Sequence, residues 1–381
     1  MKIIHIIGDL DIGGAQTMLH QLLCHTDKAE FESEVVSLTG MGAISDRIKA
    51  LGVPVRALGM RRGGAPEPAG VLRLARWLRR SRPDVVQTWL YHADMIGGLA
   101  ARSAGISALA WGIHITHLDA QTVKRRTLWT AKVCARLSHY LPRKIVCCAE
   151  ASQRLHAEMG YATEKMTVIP NGFDLNSFKP DISARTSTRR ELGIPEESPL
   201  IGLIGRFHPQ KDYQNFVRAA ALLHARLPEA RFLLCGEGVD AQNQALVAWV
   251  EEAGLRDKFH LIGSRRDMPR LYNALDILSL SSAYGEAFPM VVGEAMACGI
   301  PCVVTDVGDS ALIVGDAGRV VPAKDSQALA AAWLELLAME TQARRELARA
   351  ARQRIERQYS ITSIAARYED VYKEISQLAF R

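Results

Sequence analysis

Glu286 and Glu294 stand in SLSSAYGEAFPMVVGEAMACGIPCVVTD, residues 279–306, with seven residues between them. Were that span helical, its eight steps would cover roughly 12 Å. A carboxylate pair sharing one scissile bond needs about 5–9.5 Å, so the spacing suits contacts to two parts of a longer ligand. Between them Pro289 fits the first turn of a helix, where its missing N–H costs nothing. A helix start offers free N–H groups and a positive dipole end, a seat for phosphate. A sugar, a diphosphate and a ribose would fill this span in that order. Two cations, Arg206 and Lys211, stand five positions apart in GRFHPQK. Arginine can grip a diphosphate with two parallel bonds and lysine adds a point charge. Such cations would neutralise the charge of a bound diphosphate.

The elements that must hold these residues follow from apolar runs and turn residues. Strands are expected at 276–280 and 301–305, with a loop over 281–287 and a helix over 290–298 that Gly299 stops. Residues 200–205 read as the strand before Arg206, and 231–235 as the next, ended by Gly236-Glu237-Gly238. A further strand over 259–262 leads to a loop in which Asp267 caps the helix from Met268. Residues 315–321 read as loop and hairpin-like, and 327–359 and 360–378 as helices. In the N-terminal half, strands are expected at 2–7, 34–38, 53–57, 85–88, 107–111, 144–148 and 166–169, separated by helical patterns. Such alternation means parallel sheets with helices on both faces. After the first strand, Gly8-Asp9-Leu10-Asp11-Ile12-Gly13-Gly14 is a glycine-bearing loop without the G-x-G-x-x-G spacing of a dinucleotide fingerprint. His114 and His117 follow the strand at 107–111, where parallel sheets hold ligands. Spacing does not separate them; His114 is nearer the strand end and is preferred. Glu150 and Ser152 are candidate caps for a helix over 152–159, and Pro170-Asn171-Gly172 is turn chemistry.

These motifs together resemble the retaining glycosyltransferases of family 4, with the two-domain GT-B fold. The resemblance rests on Gly13-Gly14, Pro170-Asn171-Gly172-Phe173-Asp174, Gly205-Arg206 with Lys211, Gly236-Glu237-Gly238, and Glu286-Ala287-Phe288-Pro289 with Glu294. It covers almost the whole chain and is most specific in the C-terminal half. Ala287 stands where the family has glycine, which matters if the position needs positive φ, and Phe173 replaces a valine or isoleucine. The resemblance implies an α/β fold of two Rossmann-like, doubly wound domains with an interdomain cleft, the last helix crossing back to the first domain. Residues 1–176 with 360–381 would form the acceptor domain and 177–359 the donor domain. The implied catalytic residues are Glu286, His114, Arg206 and Lys211. Gly14, Gly236, Glu237, Ala287, Phe288, Pro289 and Glu294 join the donor site, and Gly13, Gly14 and Asn171 the acceptor site. The implied activity is retaining, metal-independent transfer from a nucleotide sugar, most readily a UDP-sugar, to a glycan or lipid-linked acceptor of cell-surface polysaccharide. The alternatives are a nucleotide-sugar epimerase or phosphorylase on the same fold, Lys324 being a poor pyridoxal lysine, and a non-catalytic nucleotide- or glycan-binding protein.

Composition agrees with a globular α/β chain: 48% hydrophobic and 23% charged, and 381 residues suffice for two cores. A net charge of +6 does not by itself argue for nucleic acid, and no stacking-aromatic or zinc-finger pattern adds to it. No signal peptide, no membrane-spanning stretch and no metal motif is read. Asp9-Leu10-Asp11 matches Asp-x-Asp but lies in the glycine loop. The seven cysteines read as reduced packing residues of a cytoplasmic protein. The basic helix 71–80, with Arg61, Arg62 and Arg82, and the run Lys124-Arg125-Arg126 are either solvated faces or contacts with an anionic membrane.

Overall fold

A computed structural model describes residues 1–61, 68–118 and 123–377. The chain divides into two compact units, Met1–Gly172 with Ile361–Arg381, and Phe173–Ser360. In chain order the first unit runs β1 Lys2–Ile7, α1 Gly14–His25, β2 Glu32–Ser37, α2 Ala43–Ala50, β3 Val55–Ala57, α3 Pro68–Ser81, β4 Val85–Trp89, α4 Tyr91–Ser103, β5 Leu109–Ile113, α5 Arg125–Ser138, β6 Lys144–Cys147, α6 Glu150–Glu158 and β7 Met166–Val168. The second runs α7 Ile182–Glu191, β8 Leu200–Ile204, α8 Tyr213–His224, β9 Arg231–Cys235, α9 Gln244–Glu252, β10 Phe259–Leu261, α10 Met268–Ala274, β11 Ile277–Leu280, α11 Met290–Ala297, β12 Cys302–Thr305, α12 Ser310–Val314, β13 Gly318–Val321, α13 Ser326–Ala338 and α14 Thr341–Gln358. Helix α15, Ile361–Gln377, returns to the first unit and packs on α1, β4 and β5.

Both sheets are parallel, in the orders β3-β2-β1-β4-β5-β6-β7 and β10-β9-β8-β11-β12-β13. Their strands are near-continuous apolar runs because both faces are covered; β8 (LIGLI) is buried at every position. Strand order reverses beside β1 and β4 in one unit and beside β8 and β11 in the other. Ligands of open parallel sheets bind outside the strand ends at such reversals. Two strained backbone positions lie past the ends of the same strands, while Arg82 and Lys324 lie elsewhere. Of the non-glycine residues with positive φ among the described residues, Leu90 (φ 71) follows β4 and Asp212 (φ 47) precedes α8.

Several local expectations change. The chain passes between units at Gly172–Phe173 and Ser360–Ile361, not at 176–177. Phe173 pairs with Ser360 and its N–H donates to Tyr359 O at 2.9 Å, which ties it to the second unit. Residues 318–321 are not a hairpin. The short helix α12 carries the chain over the sheet, so β13 joins β12 in parallel register. Helix α6 begins at Glu150 with Ala149 as its uncapped start, and Ser152 Oγ donates to Ile115 O at 2.8 Å instead of capping. β5 lies two residues later than expected, so His114 directly follows it.

Phe173 is a consequential replacement. Its ring lies against α11 where Gly293 leaves room; a Cβ at Gly293 would stand 2.0 Å from Phe173 Cζ. Gly293→Ala should therefore lower stability by about 1–3 kcal/mol, as overpacking does. In a Phe173→Val background the same change should cost little, and urea unfolding of the four variants measures this coupling.

Candidate functional site

In the second unit, backbone bonds lace the loops beyond the strands. Gly205 N–H donates to Cys235 O at 2.8 Å, Phe207 N–H to Glu237 O at 2.7 Å, and Gly236 N–H to Gly263 O at 2.9 Å. Gly236 sits at φ +153 with its Cβ position 1.9 Å from Gly205 O, so only glycine lets these loops cross. Arg206 and Glu237 are exposed on this rim, and among the described residues Arg206 has no carboxylate partner.

Lys211 and Glu286 meet each other. Lys211 Nζ donates to Glu286 Oε1 at 2.6 Å, with both side chains largely buried, and Ser282 Oγ donates to the same oxygen at 2.6 Å. Further bonds fasten the two loops together: Gln210 Nε2 to Gly285 O at 2.9 Å, Ala283 N–H to Gln210 O at 2.8 Å, and Ser281 Oγ to Lys211 O at 2.7 Å. The sequence reading placed the cation on a diphosphate and the carboxylate on a sugar; the fold sets them side by side. Ala287 is not among the residues with positive φ, so alanine is compatible with the loop. Phe288 turns inward, stacked on Phe173 at 6.0 Å, which leaves its backbone rather than its ring to a ligand. Pro289 is the N-cap of α11, one position before the expected first turn, because its ψ of 105° is not helical. Glu294 Oε2 accepts from the buried Tyr272 hydroxyl at 2.6 Å, and burial raises the carboxyl pKa. Asp267 does not cap α10. Arg265 holds its carboxylate through two bonds, at 2.8 and 2.6 Å, and keeps its pKa low.

In the first unit, Gly13 is the N-cap of α1 at φ −169, extended backbone with no need of glycine's left-handed freedom. Gly14 opens the helix. Gln16 Nε2 pins the loop by donating to Asp9 Oδ1 at 3.1 Å. A cavity of about 380 Å³ beside this loop is lined by Asp9, Asp11, Thr39, Met41 and Met60 with the backbone of Gly40 and Gly59. His114 stacks on Trp89 with ring centroids 5.3 Å apart, and Trp89 stacks in turn on Tyr368 of α15 at 5.9 Å. The Nε2 atom of His114 is buried without a partner among the described residues, and burial lowers the imidazole pKa to about 4. Asn171 Oδ1 is likewise buried and unpartnered, and its neighbour Gly172 N–H meets Met18 Sδ of α1 at 3.5 Å. An unsatisfied buried acceptor costs about 1–3 kcal/mol, so these two atoms mark places a ligand could satisfy. His117 is partly buried; the stack and the orphaned nitrogen favour His114.

Sequence reasoning missed Tyr272, Ser282, Gln210 and Trp89. Tyr272 and Trp89 carried a weak signal, since a buried Tyr or Trp usually seeks a polar partner. Gln210 carried none, because its partner Gly285 is 75 positions away; Ser282 is only four residues from Glu286, but in a loop that spacing does not by itself imply a bond. Among the described residues, no group of three or more His, Cys, Asp or Glu could hold a metal ion.

The profile described as "Glycosyl transferases group 1" matches residues 184–354, and that of "Glycosyltransferase Family 4" matches residues 12–177. The chain is 32% identical over 329 residues to a D-inositol 3-phosphate glycosyltransferase of Xylanimonas cellulosilytica, covering 81% of this chain and 76% of that protein. It is 26% identical over 253 residues to a UDP-Gal:alpha-D-GlcNAc-diphosphoundecaprenol alpha-1,3-galactosyltransferase of Escherichia coli, covering 64% of this chain and 63% of that one. The crystal structure of Anabaena HepE in complex with UDP superposes with a TM-score of 0.86 at 22% identity, over 98% of this chain and 100% of that one. The same protein in complex with UDP-glucose gives 0.82 at 22% identity, over 99% and 100%.

Two outcomes are expected. Lys211→Met leaves Glu286 buried without its cation and should cost about 3–5 kcal/mol. Adding Glu286→Gln should recover much of that loss, which denaturant midpoints will report. For His114 the folded pKa lies below the unfolded value of 6.5. The unfolded chain therefore takes up the proton first as pH falls. The stability that neutral His114 contributes is complete above pH 6.5 and drains by about 1.4 kcal/mol per pH unit down to about 4. His114→Gln should flatten this acid limb when melting temperature is followed against pH.

Proposed function

We propose a donor, a reaction and an acceptor class on one premise: the chain belongs to glycosyltransferase family 4, the glycosyl transferases group 1. Its two parallel-sheet units are those of the GT-B fold, and it is a glycosyltransferase that uses a nucleotide sugar. The proposed donor is a UDP-sugar. Supporting it, HepE was crystallised with UDP and UDP-glucose, and the Escherichia coli relative is a UDP-Gal enzyme by name.

The observation that carries the reading is the Lys211–Glu286–Ser282 constellation beside Arg206 and the start of α11. Arg206 and the amides of α11 take the diphosphate, with Lys211 as the second cation. Glu286 and the amides after it take the sugar hydroxyls, and Glu294, steadied by Tyr272, takes the ribose. From the first unit, His114 offers a neutral imidazole nitrogen to substrate, while Asn171 and the Gly13-Gly14 loop serve the acceptor. Transfer proceeds with retention and without a metal. The acceptor hydroxyl oxygen bonds to the anomeric carbon on the face from which the diphosphate departs, and its proton leaves to the departing phosphate oxygen. Glu286 and Glu294 are engaged by Lys211 and Tyr272, so neither is assigned as the base. The acceptor class is a glycan or lipid-linked sugar of surface polysaccharide; the diphosphoundecaprenol in the Escherichia coli relative's name supports it.

Calorimetric titration with UDP, GDP and ADP, with and without EDTA, tests the donor site. UDP should bind in EDTA, and Arg206→Ala should weaken it by about 10–100-fold, the worth of charge-assisted bonds. Binding that requires a divalent cation, or preference for another base, would overturn the reading. Glu286→Gln should abolish transfer while UDP still binds; the anomer formed by the parent enzyme, read by NMR, decides retention.

A further inference from the structure

Helices α3, α4 and α5 lie side by side on one face of the seven-stranded sheet. Their inner sides give Leu74, Leu78, Ile96, Ala100 and Cys134 to the core. Their outer sides are of one sign. α3 bears Arg73, Arg76, Arg79 and Arg80; α4 bears Arg102; α5 bears Arg125, Arg126, Lys132 and Arg136. The single acidic residue within the three helices, Asp94, is fully buried. These nine cations exceed the whole chain's net charge of +6. Surface helices gain from mixed signs three or four residues apart, and like charges at that spacing repel. A one-signed face forgoes that gain. Where Arg79 and Arg102 bond within the chain they reach the carbonyls of Ser103 and Tyr140, each at 2.7 Å, so their charge is not neutralised.

Large apolar side chains stand out of the same face. Trp129 is 57% exposed, Leu72 53% and Leu99 36%. On α5 the exposed stripe runs Arg125, Trp129, Lys132, Arg136, the three-and-four spacing of one helix face. A tryptophan among cations fits the boundary between lipid headgroups and acyl chains, where its ring is half apolar and arginine stems can lie along apolar surface. We propose that this face docks on an anionic lipid bilayer, Trp129 and Leu72 entering the headgroup layer while the cations meet lipid phosphates. A nucleic acid would satisfy the charges but offers nothing to Leu72 and Leu99. No described helix is long and apolar enough to cross a membrane, so a chain bound by this face would lie on the surface.

Flotation of the full chain with vesicles is the test, and it is independent of the donor chemistry. Phosphatidylglycerol-containing vesicles should carry the protein and release it as salt rises, while pure phosphatidylcholine vesicles should not carry it. Removing one surface cation should weaken binding about fivefold, the factor equivalent to ~1 kcal/mol per charge, so Arg76→Ala with Arg136→Ala should weaken it about 25-fold. Trp129→Ala should weaken it further, and the fluorescence blue shift seen with vesicles should disappear. Unchanged melting temperatures will show that the variants are folded. Equal binding to neutral vesicles, or no effect of the double variant, would overturn the proposal. So would tighter binding to an RNA oligonucleotide that is indifferent to Trp129→Ala.

Discussion

Lys211 and Glu286 are 75 positions apart in the chain and 2.6 Å apart in the fold. Removing two such charges from water costs several kcal/mol per ion unless the geometry is close and further bonds satisfy the remaining atoms. Ser282 supplies one of those bonds to the carboxylate, and Gln210, Ala283 and Ser281 join the loops around the pair. The loop after β8 and the loop after β11 therefore behave as one element. Arg206 stands at the start of the first of these loops, and the second leads directly into α11.

The two units handle polarity differently. In the second, the buried polar side chains assigned to the site have protein partners: Lys211 with Glu286, Tyr272 with Glu294. Its loops are preorganised by their own bonds. In the first, the site atoms are left wanting: His114 Nε2 and Asn171 Oδ1 have no partner among the described residues. The His114 ring is fixed by its place on Trp89, and Trp89 by Tyr368, so α15 holds the histidine's orientation without touching its free nitrogen. The same helix buries Ile361, Ile364, Ala365, Val371, Tyr372 and Ile375 in the core of the first unit.

Much of this was legible in the sequence because it is local. Apolar runs of strand length separated by helical periods dictate parallel sheets, and glycine, proline and asparagine mark where strands end. Arg206, Lys211 and Glu286 could be named because each stands in a loop after a strand readable as an apolar run; Glu294 was legible from its place on α11, and His114 although β5 lies two residues later than its pattern suggested. The errors have local causes too. Asp267 has the type and position of a cap, but Arg265, two residues away, offered its carboxylate two stronger bonds. Residues 315–321 were read as a hairpin because α12 has only five residues, too short for a period to show.

The sequence alone determined the order of elements, the residue types at the sheet ends, the glycines that allow close approach, and the strongly basic character of α3. Only the tertiary structure decided who meets whom. It paired Lys211 with Glu286, set Tyr272 beneath Glu294, laid Phe173 on Gly293, and aligned α3, α4 and α5 into one cationic face. The reason is physical. Propensity and period act over a few residues, whereas a buried charge or an orphaned nitrogen is satisfied by whatever the topology brings within about 3 Å.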